Sequence, residues 1–396
     1  MSTIRRFIWI EIFYFFVLSA IMILLSLTPQ PDFDDIFMKR TGLLPYVDFR
    51  PGYPPLGKFP YYFFYNLLSQ THGYVLCTFF FNLATLLFLG AILFLCISKL
   101  NPKKALRLAL ILIMMPSMIY LTIVYSRADA LAIAVLLCAI YFIDSPWICG
   151  ALISIGALIK LYPAILLIPL MIYYKGVKNR VKLLYSFALV FLVFSIPFLL
   201  SEPLMYTSVF LSHTSRGPSE SIFSIIDGYY GHTGFLHPTF DAAIYSWQFA
   251  IIYNPSPYDH FRYVWNIPAL PYISLGLQMV CLLGFSWIAK KRQDKKESIM
   301  LISLAIFSYF AFSTFYNPRI HSVQMPFLLL ATLNWNLRRQ IAMVVVFEVI
   351  NIFHSLVWFT PIFWFTGTQL PLTIAVVTRT IMYIVVFSIF ARSRKK

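Results

Sequence analysis

Long apolar runs separated by short polar stretches recur along the whole chain. Twelve runs can be counted, at 7–27, 74–97, 107–124, 130–143, 147–159, 161–174, 183–200, 268–288, 299–315, 320–334, 340–356 and 371–391. A helix needs about 20 residues to cross a hydrocarbon core of roughly 30 Å, and all but two or three runs approach that length. The pattern predicts an all-α polytopic membrane protein with about twelve transmembrane helices, forming one integral membrane domain over residues 1–396.

Composition and charge support this class and exclude two others. Of the 396 residues, 60% are hydrophobic and 12% are charged, which excludes a water-soluble globule. A net charge of +16 would suit a nucleic-acid-binding protein. However, most basic residues lie in short clusters between apolar runs, as the positive-inside rule predicts for cytoplasmic loops. With the N-terminus inside, every second loop is basic, at 5–6, 99–107, 175–182, 290–296, 338–339 and 392–396. We therefore expect no nucleic-acid partner, both termini in the cytoplasm and a location in the cell membrane.

Residues 147–174 carry a lysine in the middle of an apolar stretch. As one straight helix this stretch would be roughly 42 Å long, which exceeds the bilayer core. A single crossing would also place the 175–182 cluster outside and invert every later loop. Pro163 supplies a break, because proline cannot continue the helical hydrogen bonds. The sequence predicts two short helices that meet at Lys160–Pro163 and form a hairpin.

Acidic and other polar residues concentrate in the loops predicted to lie outside. The first outer loop, 28–60, contains four carboxylates, Asp32, Asp34, Asp35 and Asp48. A carboxylate beside a bilayer is unfavourable in free energy unless it is solvated or takes part in binding or catalysis. Each could be a solvated residue that caps the start of a helix, or could act as a general base that deprotonates a substrate hydroxyl. A long outer loop over 201–265 is rich in aromatic residues, proline and glycine, and we expect it to cover the membrane surface.

Ionisable residues inside apolar runs are the other candidates. Lys160 costs roughly 2.5–3.5 kcal/mol at a helix centre, so it either snorkels to the outer surface or binds an anion such as phosphate. Glu11, Glu348 and Arg379 are expected to form polar contacts inside the bundle. The outer histidines do not form a dense metal pattern, so no metal and no cofactor are expected. No glycine-rich nucleotide fingerprint occurs in the sequence.

Four segments carry a resemblance to a known family. The first loop contains Gly42-Leu-Leu-Pro-Tyr-Val-Asp-Phe49 followed by Tyr53-Pro-Pro-Leu56. The others are Tyr125-Ser-Arg-Ala-Asp-Ala-Leu-Ala132, Ile159-Lys-Leu-Tyr-Pro-Ala164 and Tyr316-Asn-Pro-Arg-Ile-His321. Together they resemble the GT-C superfamily of polyprenol-phosphate-sugar-dependent glycosyltransferases, in particular the family 87 mannosyltransferases.

The resemblance implies an inverting hexosyltransferase of glycan biosynthesis. It would move a sugar, expected to be mannose, from a polyprenyl- or dolichyl-phosphate donor to a glycan, glycolipid or protein acceptor at the outer face. Its catalytic base would be one of Asp32, Asp34, Asp35 and Asp48, with Asp32 or Asp35 slightly favoured by position, although Asp48 matches the Pro-Tyr-x-Asp-Phe motif. The donor phosphate would be bound by Lys160, Arg127 and Arg319, and the substrates by Asp129, Tyr53, Tyr162 and His321.

A transporter or flippase of a lipid-linked sugar is the alternative from another class. It would also need many helices and a few charged groups. Transporters tend to carry internal repeats and ionisable residues near the membrane midplane. In this sequence no repeat is obvious and the polar groups gather toward one face, which favours the enzyme. An assembly subunit is a third possibility, and it predicts that the first-loop carboxylates are dispensable.

Overall fold

The structure is a computed structural model that describes residues 3–24, 54–68, 72–124, 128–203, 206–207, 210, 221–227, 267–314, 318–359 and 370–393. Within these ranges the regular secondary structure is helical throughout. The chain divides into two compact units, Met1–Phe210 and Leu211–Lys396. Each unit is considered by itself below. Most of the first outer loop and most of the long outer loop lie outside the described residues.

The first unit contains nine α-helices and two short helical turns in the described residues. They are α1 (Thr3–Leu24), α2 (Pro55–Leu68), α3 (His72–Leu100), α4 (Pro102–Ile113), α5 (Pro116–Ile119) continued by a π-turn (Tyr120–Val124), α6 (Asp129–Tyr141), α7 (Pro146–Ile159), a 3-10 turn (Tyr162–Leu166), α8 (Leu167–Tyr173) and α9 (Val177–Ser201). Proline opens four of these helices, because it lacks an N–H and its ring fixes a helical φ. These prolines are Pro55, Pro102, Pro116 and Pro146.

The second unit is built mainly from five helices of 14 to 24 residues. Its described elements are a short α10 (Ile222–Ile226), α11 (Leu270–Lys291), α12 (Lys295–Ala311), α13 (Pro318–Ala331), α14 (Leu337–Phe359) and α15 (Leu370–Ser393). Two contacts show that α11 and α12 are antiparallel. Ser298 Oγ donates to the Ala289 carbonyl at 3.0 Å, and at the far end Ser274 Oγ donates to the Phe312 carbonyl at 2.6 Å.

Each of the twelve predicted apolar runs overlaps a helical segment, but the expected number of transmembrane helices is not confirmed. In the described residues, four single helices are long and apolar enough to span, within α3, α9, α11 and α15. A fifth span results if α4 and α5, bent by 56°, are counted together. The helices α6, α7 and α13 have 13 or 14 residues, about 20 Å, which is shorter than the bilayer core. The apolar helices still support an integral membrane protein.

The predicted break at Lys160–Pro163 is confirmed. Helix α7 ends at Ile159, and Lys160 has an extended backbone with φ −149° and ψ 147°. The chain then reverses, because the Tyr174 hydroxyl, just after α8, donates to the carbonyl of Ile143, just before α7, at 2.7 Å. The two ends of the segment therefore meet, and the segment is a helical hairpin with Lys160 at its tip.

The basic residues near this hairpin gather at its open end. Lys99 Nζ donates to the Tyr141 carbonyl at 3.3 Å and lies 3.4 Å from the Tyr141 ring centroid. Arg180 Nε donates to the Tyr174 carbonyl at 3.1 Å. The helix ends that contain Lys99 and Arg180 thus lie at the end opposite Lys160. This is the arrangement that the positive-inside rule requires if Lys160 faces the outer side.

The core of the first unit lies around α6, which is buried along nearly its whole length. Helix α3 contributes a buried leucine-rich face, with Leu83, Leu86, Leu89 and Leu93 at 0% exposure. By contrast, α9 exposes apolar side chains such as Val181, Val193 and Leu200. In a bilayer, lipid chains would cover such a face at little cost in free energy, since both partners are apolar.

A close approach of α7 and α9 at Gly150 gives a test of this packing. A Cβ at position 150 would collide with the carbonyl oxygen of Leu183 and would lie 3.0 Å from the amide nitrogen of Phe187. Backbone atoms cannot rotate away, so Gly150→Ala must push the helices apart. We expect a lower free energy of unfolding by about 1–3 kcal/mol, measured as a lower Tm of the protein in detergent.

Gly284→Ala is the matched control for this substitution. Gly284 lies in α11, and a Cβ there would have no heavy atom within 4 Å. Because alanine favours a helix over glycine by about 0.5–1 kcal/mol, the Tm of this variant should stay the same or rise. Equal Tm values for the two variants would contradict the close approach of α7 and α9.

Candidate functional site

The hairpin tip places a lysine at the end of a helix. The Lys160 N–H donates to the Gly156 carbonyl at 2.8 Å, which completes the last turn of α7. Pro163 then packs back onto α7 at Gly156, where an added Cβ would lie 2.9 Å from the Pro163 side chain. Glycine at 156 thus allows the tight reversal, and the side chain of Lys160 leaves the helix axis at this point.

Lys160 forms an ion pair with Asp129. Its Nζ lies 2.8 Å from Asp129 Oδ2, and the two side chains are 13% and 9% exposed. Asp129 is the first residue of α6, where the helix dipole stabilises a negative charge. The pair therefore joins the N-terminus of α6 to the tip of the hairpin, in surroundings that largely exclude solvent.

Tyr162 completes this group of residues. Its hydroxyl donates to the backbone carbonyl of Asp129 at 3.3 Å. Its ring packs against a buried cluster that consists of Ala128, Ala132, Val135 and Ile159. The structure thus brings together three residues that the sequence placed in the site, Lys160, Asp129 and Tyr162. Their roles toward a substrate remain predictions.

The end of the first outer loop lies against the same cluster. Leu56 packs on the buried cluster beside Tyr162, and Pro54 and Pro55 are buried. The Gly57 N–H donates to the Pro54 carbonyl at 3.1 Å, so the chain enters α2 directly from the two prolines. Further along α2, the Tyr61 hydroxyl donates to Asn82 Oδ1 of α3 at 2.6 Å and anchors the helix.

Pro55 and Leu56, the last two residues of the Tyr-Pro-Pro-Leu motif, open helix α2, which the twelve apolar runs did not include. The signal was present in the sequence, since proline is favoured at the first position of a helix. What the sequence did not indicate was the packing of Leu56 on the buried cluster of Ala128, Ala132, Val135 and Ile159. Ala128 and Ile159 directly precede Asp129 and Lys160 in the chain, so the last residues of the first loop lie near the ion pair.

The remaining predicted site residues are distributed between undescribed segments and the second unit. Asp32, Asp34, Asp35, Asp48, Tyr53 and Arg127 lie outside the described residues. Arg319 is the second residue of α13. His321, two residues further along that helix, is 1% exposed, and its Nε2 lies 3.0 Å from Oε2 of Glu348 in α14.

Two of the intramembrane charges form the polar contacts that the sequence predicted. Glu348 contacts His321, and Arg379 Nη1 lies 2.9 Å from His354 Nδ1. For Glu11, one carboxylate oxygen is buried without a hydrogen-bond partner among the described residues. The described ranges contain no group of three or more His, Cys, Asp or Glu side chains that could hold a metal ion.

Comparison with known proteins identifies a family. The family model described as glycosyltransferase family 87 matches residues 52–314, about two thirds of the chain. The matched stretch begins one residue before the Tyr53 motif and contains Asp129, Lys160 and Tyr162. No curated protein sequence matches the chain.

Proposed function

Because the chain belongs to glycosyltransferase family 87, we propose that it transfers a hexose from a polyprenyl- or dolichyl-phosphate donor to an acceptor hydroxyl, with inversion at the anomeric carbon. Family membership indicates a glycosyltransferase, which requires a sugar donor and an acceptor. The lipid-phosphate donor, mannose as the sugar and a site at the outer membrane face belong to the proposal.

One observation carries the proposal most directly. The end of the first outer loop, at Leu56, packs on the same buried cluster as Tyr162, beside the Lys160–Asp129 ion pair. A loop rich in carboxylates therefore ends next to a buried cation. Glycosyl transfer from a phosphate donor needs both kinds of group, a base for the acceptor and a cation for the leaving phosphate.

In the proposed reaction, a first-loop aspartate accepts the proton of the acceptor hydroxyl. The acceptor oxygen attacks the anomeric carbon, and the bond between that carbon and the phosphate oxygen breaks. The electron pair of this bond stays on the phosphate, which leaves from the opposite face of the sugar and so inverts the configuration. Lys160 stabilises the charge that develops on the phosphate, with Arg127 and Arg319 as further proposed ligands.

Asp129 modifies the role of the lysine. The Asp129 carboxylate balances the charge of the Lys160 ammonium, so no unpaired charge is left in an apolar region. The same contact holds the ammonium in place before the donor phosphate binds. An ammonium has three N–H donors, and the bond to Asp129 uses one of them. In this proposal Asp129 positions the lysine, Tyr162 and Tyr53 contact the donor, and His321 contacts substrate. The long outer loop 201–265 would close over the site and exclude water.

The distribution of basic residues supports a site on the outer side of the membrane. Lys99 and Arg180 lie at the open end of the hairpin and Lys160 lies at its tip. If the basic end faces the cytoplasm, the proposed site faces outward and both termini lie inside. Donors carried on polyprenyl phosphate are membrane-bound, so a site at a membrane face gives them direct access.

A transfer assay with purified protein in lipid nanodiscs tests the proposal. Polyprenyl-phosphate-mannose, radiolabelled in the sugar, should release polyprenyl phosphate and label a membrane glycolipid extract, whereas GDP-mannose should label nothing. Movement of the intact lipid-linked sugar across proteoliposomes, with the sugar–phosphate bond unbroken, would instead support the transporter. Transfer from the nucleotide sugar alone would contradict the lipid donor.

A further inference from the structure

Three pairs of buried polar side chains connect α13, α14 and α15. His321 contacts Glu348 at 3.0 Å, His354 contacts Arg379 at 2.9 Å, and the Tyr383 hydroxyl donates to Gln324 Oε1 at 2.7 Å. We call these six residues together with Asn351 the polar seam. All seven are buried. Buried polar groups are unfavourable in a membrane-embedded bundle, so such a concentration typically marks a functional site.

Asn351 is the exceptional member of the seam. It lies on α14 one turn from Glu348 and one turn from His354, so it faces the same side as both. Its side chain is 3% exposed, yet neither its Oδ1 nor its Nδ2 has a hydrogen-bond partner among the described residues. A buried carboxamide without partners has lost its hydrogen bonds to water and gained none in return, so it destabilises the fold by its full desolvation free energy. A ligand that donates to Oδ1 and accepts from Nδ2 would remove that cost.

The charges of the seam indicate which ligand it fits. The positive charge of Arg379 and the negative charge of Glu348 offset each other, so these two side chains give the polar seam no net charge that would attract a phosphate. A hydroxyl group both donates and accepts hydrogen bonds, as the free carboxamide requires. A neutral ligand with several hydroxyls, such as a hexose ring, therefore matches the seam better than an anion.

The position of Asn351 fits a head group that enters from one end of the helices. At a rise of about 1.5 Å per residue, Asn351 lies about 12 Å from the Phe359 end of α14. Arg379 is at a similar distance from the Leu370 end of α15, and these two ends are predicted to face outward. Further from these two ends, the rings of Phe307, Phe347 and Tyr383 pack against one another, with centroids 5.6–6.3 Å apart. The polar seam is therefore followed by packed aromatic rings on its inner side.

We infer that the polar seam binds the hydroxyls of a hexose, with Asn351 as a direct ligand and with His354 and Arg379 beside it. The inference rests on the proposed function for the class of ligand, because a glycosyltransferase must hold a sugar on both its donor and its acceptor. The sugar at the seam comes from one of these two sources. Three probes distinguish them: polyprenyl phosphate, polyprenyl-phosphate-mannose and octyl mannoside.

The test compares the dissociation constants of these probes for the wild-type protein and for Asn351→Leu. Leucine is similar to asparagine in size and removes an unpaired amide, so the variant should fold with an equal or higher Tm. We expect Asn351→Leu to bind polyprenyl phosphate as the wild type does. Its affinity for one sugar-bearing probe should fall by about tenfold or more. A loss for polyprenyl-phosphate-mannose assigns the seam to the donor sugar, and a loss for octyl mannoside assigns it to the acceptor.

Gln340→Leu is the matched control, because it makes the same kind of change in the same helix. The Gln340 amide donates to Thr332 Oγ1 at 3.2 Å, near the opposite end of α14. Its affinities for all three probes should equal those of the wild type. If Asn351→Leu also binds all three probes normally, the inference is wrong and the lipid-phosphate donor stands. If wild-type protein binds none of the probes, the proposed function is wrong, and the inference fails with it.

Discussion

Replacement of the first-loop aspartate that we propose as the general base by asparagine should lower kcat by a factor of about 10² to 10⁴. Asparagine keeps the size and shape of aspartate but cannot accept the proton of the acceptor hydroxyl. Substrate binding should change little, so KM for the donor should stay near the wild-type value. Of the four variants Asp32→Asn, Asp34→Asn, Asp35→Asn and Asp48→Asn, we expect one to show the dominant loss.

The measurement is the rate of sugar transfer by each purified variant at saturating donor, together with its Tm. Asp294→Asn is the matched control. Asp294 is exposed and caps α12 by accepting a hydrogen bond from the Lys296 N–H at 3.0 Å. Asparagine caps helices equally well, so this variant should keep full activity. Wild-type rates in all four first-loop variants would disprove the general-base step and would support a structural role for the loop.

Loss of the Lys160 charge should have the second-largest effect. Lys160→Met keeps an unbranched chain of similar length but removes the cation proposed to stabilise the leaving phosphate. Because such electrostatic stabilisation acts mainly in the transition state, we expect kcat to fall by about 10²- to 10³-fold. Lys160→Arg should retain part of the activity, since it keeps a positive charge but replaces the compact ammonium by a planar guanidinium.

The ion pair complicates this experiment and also supplies its control. With Lys160 removed, Asp129 would remain as an unpaired buried charge, which destabilises by about 3–5 kcal/mol. Lys160→Met should therefore lower the Tm as well as the rate. The double variant Asp129→Asn/Lys160→Met removes both charges, so it should recover most of the stability while transfer stays slow. If it recovers transfer as well as stability, the role of Lys160 is purely structural.

The comparison of sequence and structure is clearest at the hairpin. The break at Lys160–Pro163 could be predicted because it follows from local facts: a stretch too long for the bilayer, a charge in its middle, a proline and the alternation of basic loops. The start of α2 at Pro55 was missed, although proline is favoured at helix starts, because the residues up to 60 were assigned to the first outer loop. Each of the twelve apolar runs overlaps a helical segment, yet the runs did not establish the number of helices or how many of them cross the membrane.

The sequence by itself determined the all-helical membrane class and the distribution of charge along the chain. Those properties depend on the composition of each segment alone, because a segment can enter a bilayer only if its side chains are mainly apolar and its backbone groups are hydrogen-bonded within a helix. Only the tertiary structure decided which polar residues meet. Asp129 and Lys160 are separated by 31 residues, and Gln324 and Tyr383 by 59. Their contacts depend on how each helix is rotated and where neighbouring helices approach, and these are properties of the packed bundle, not of any one segment.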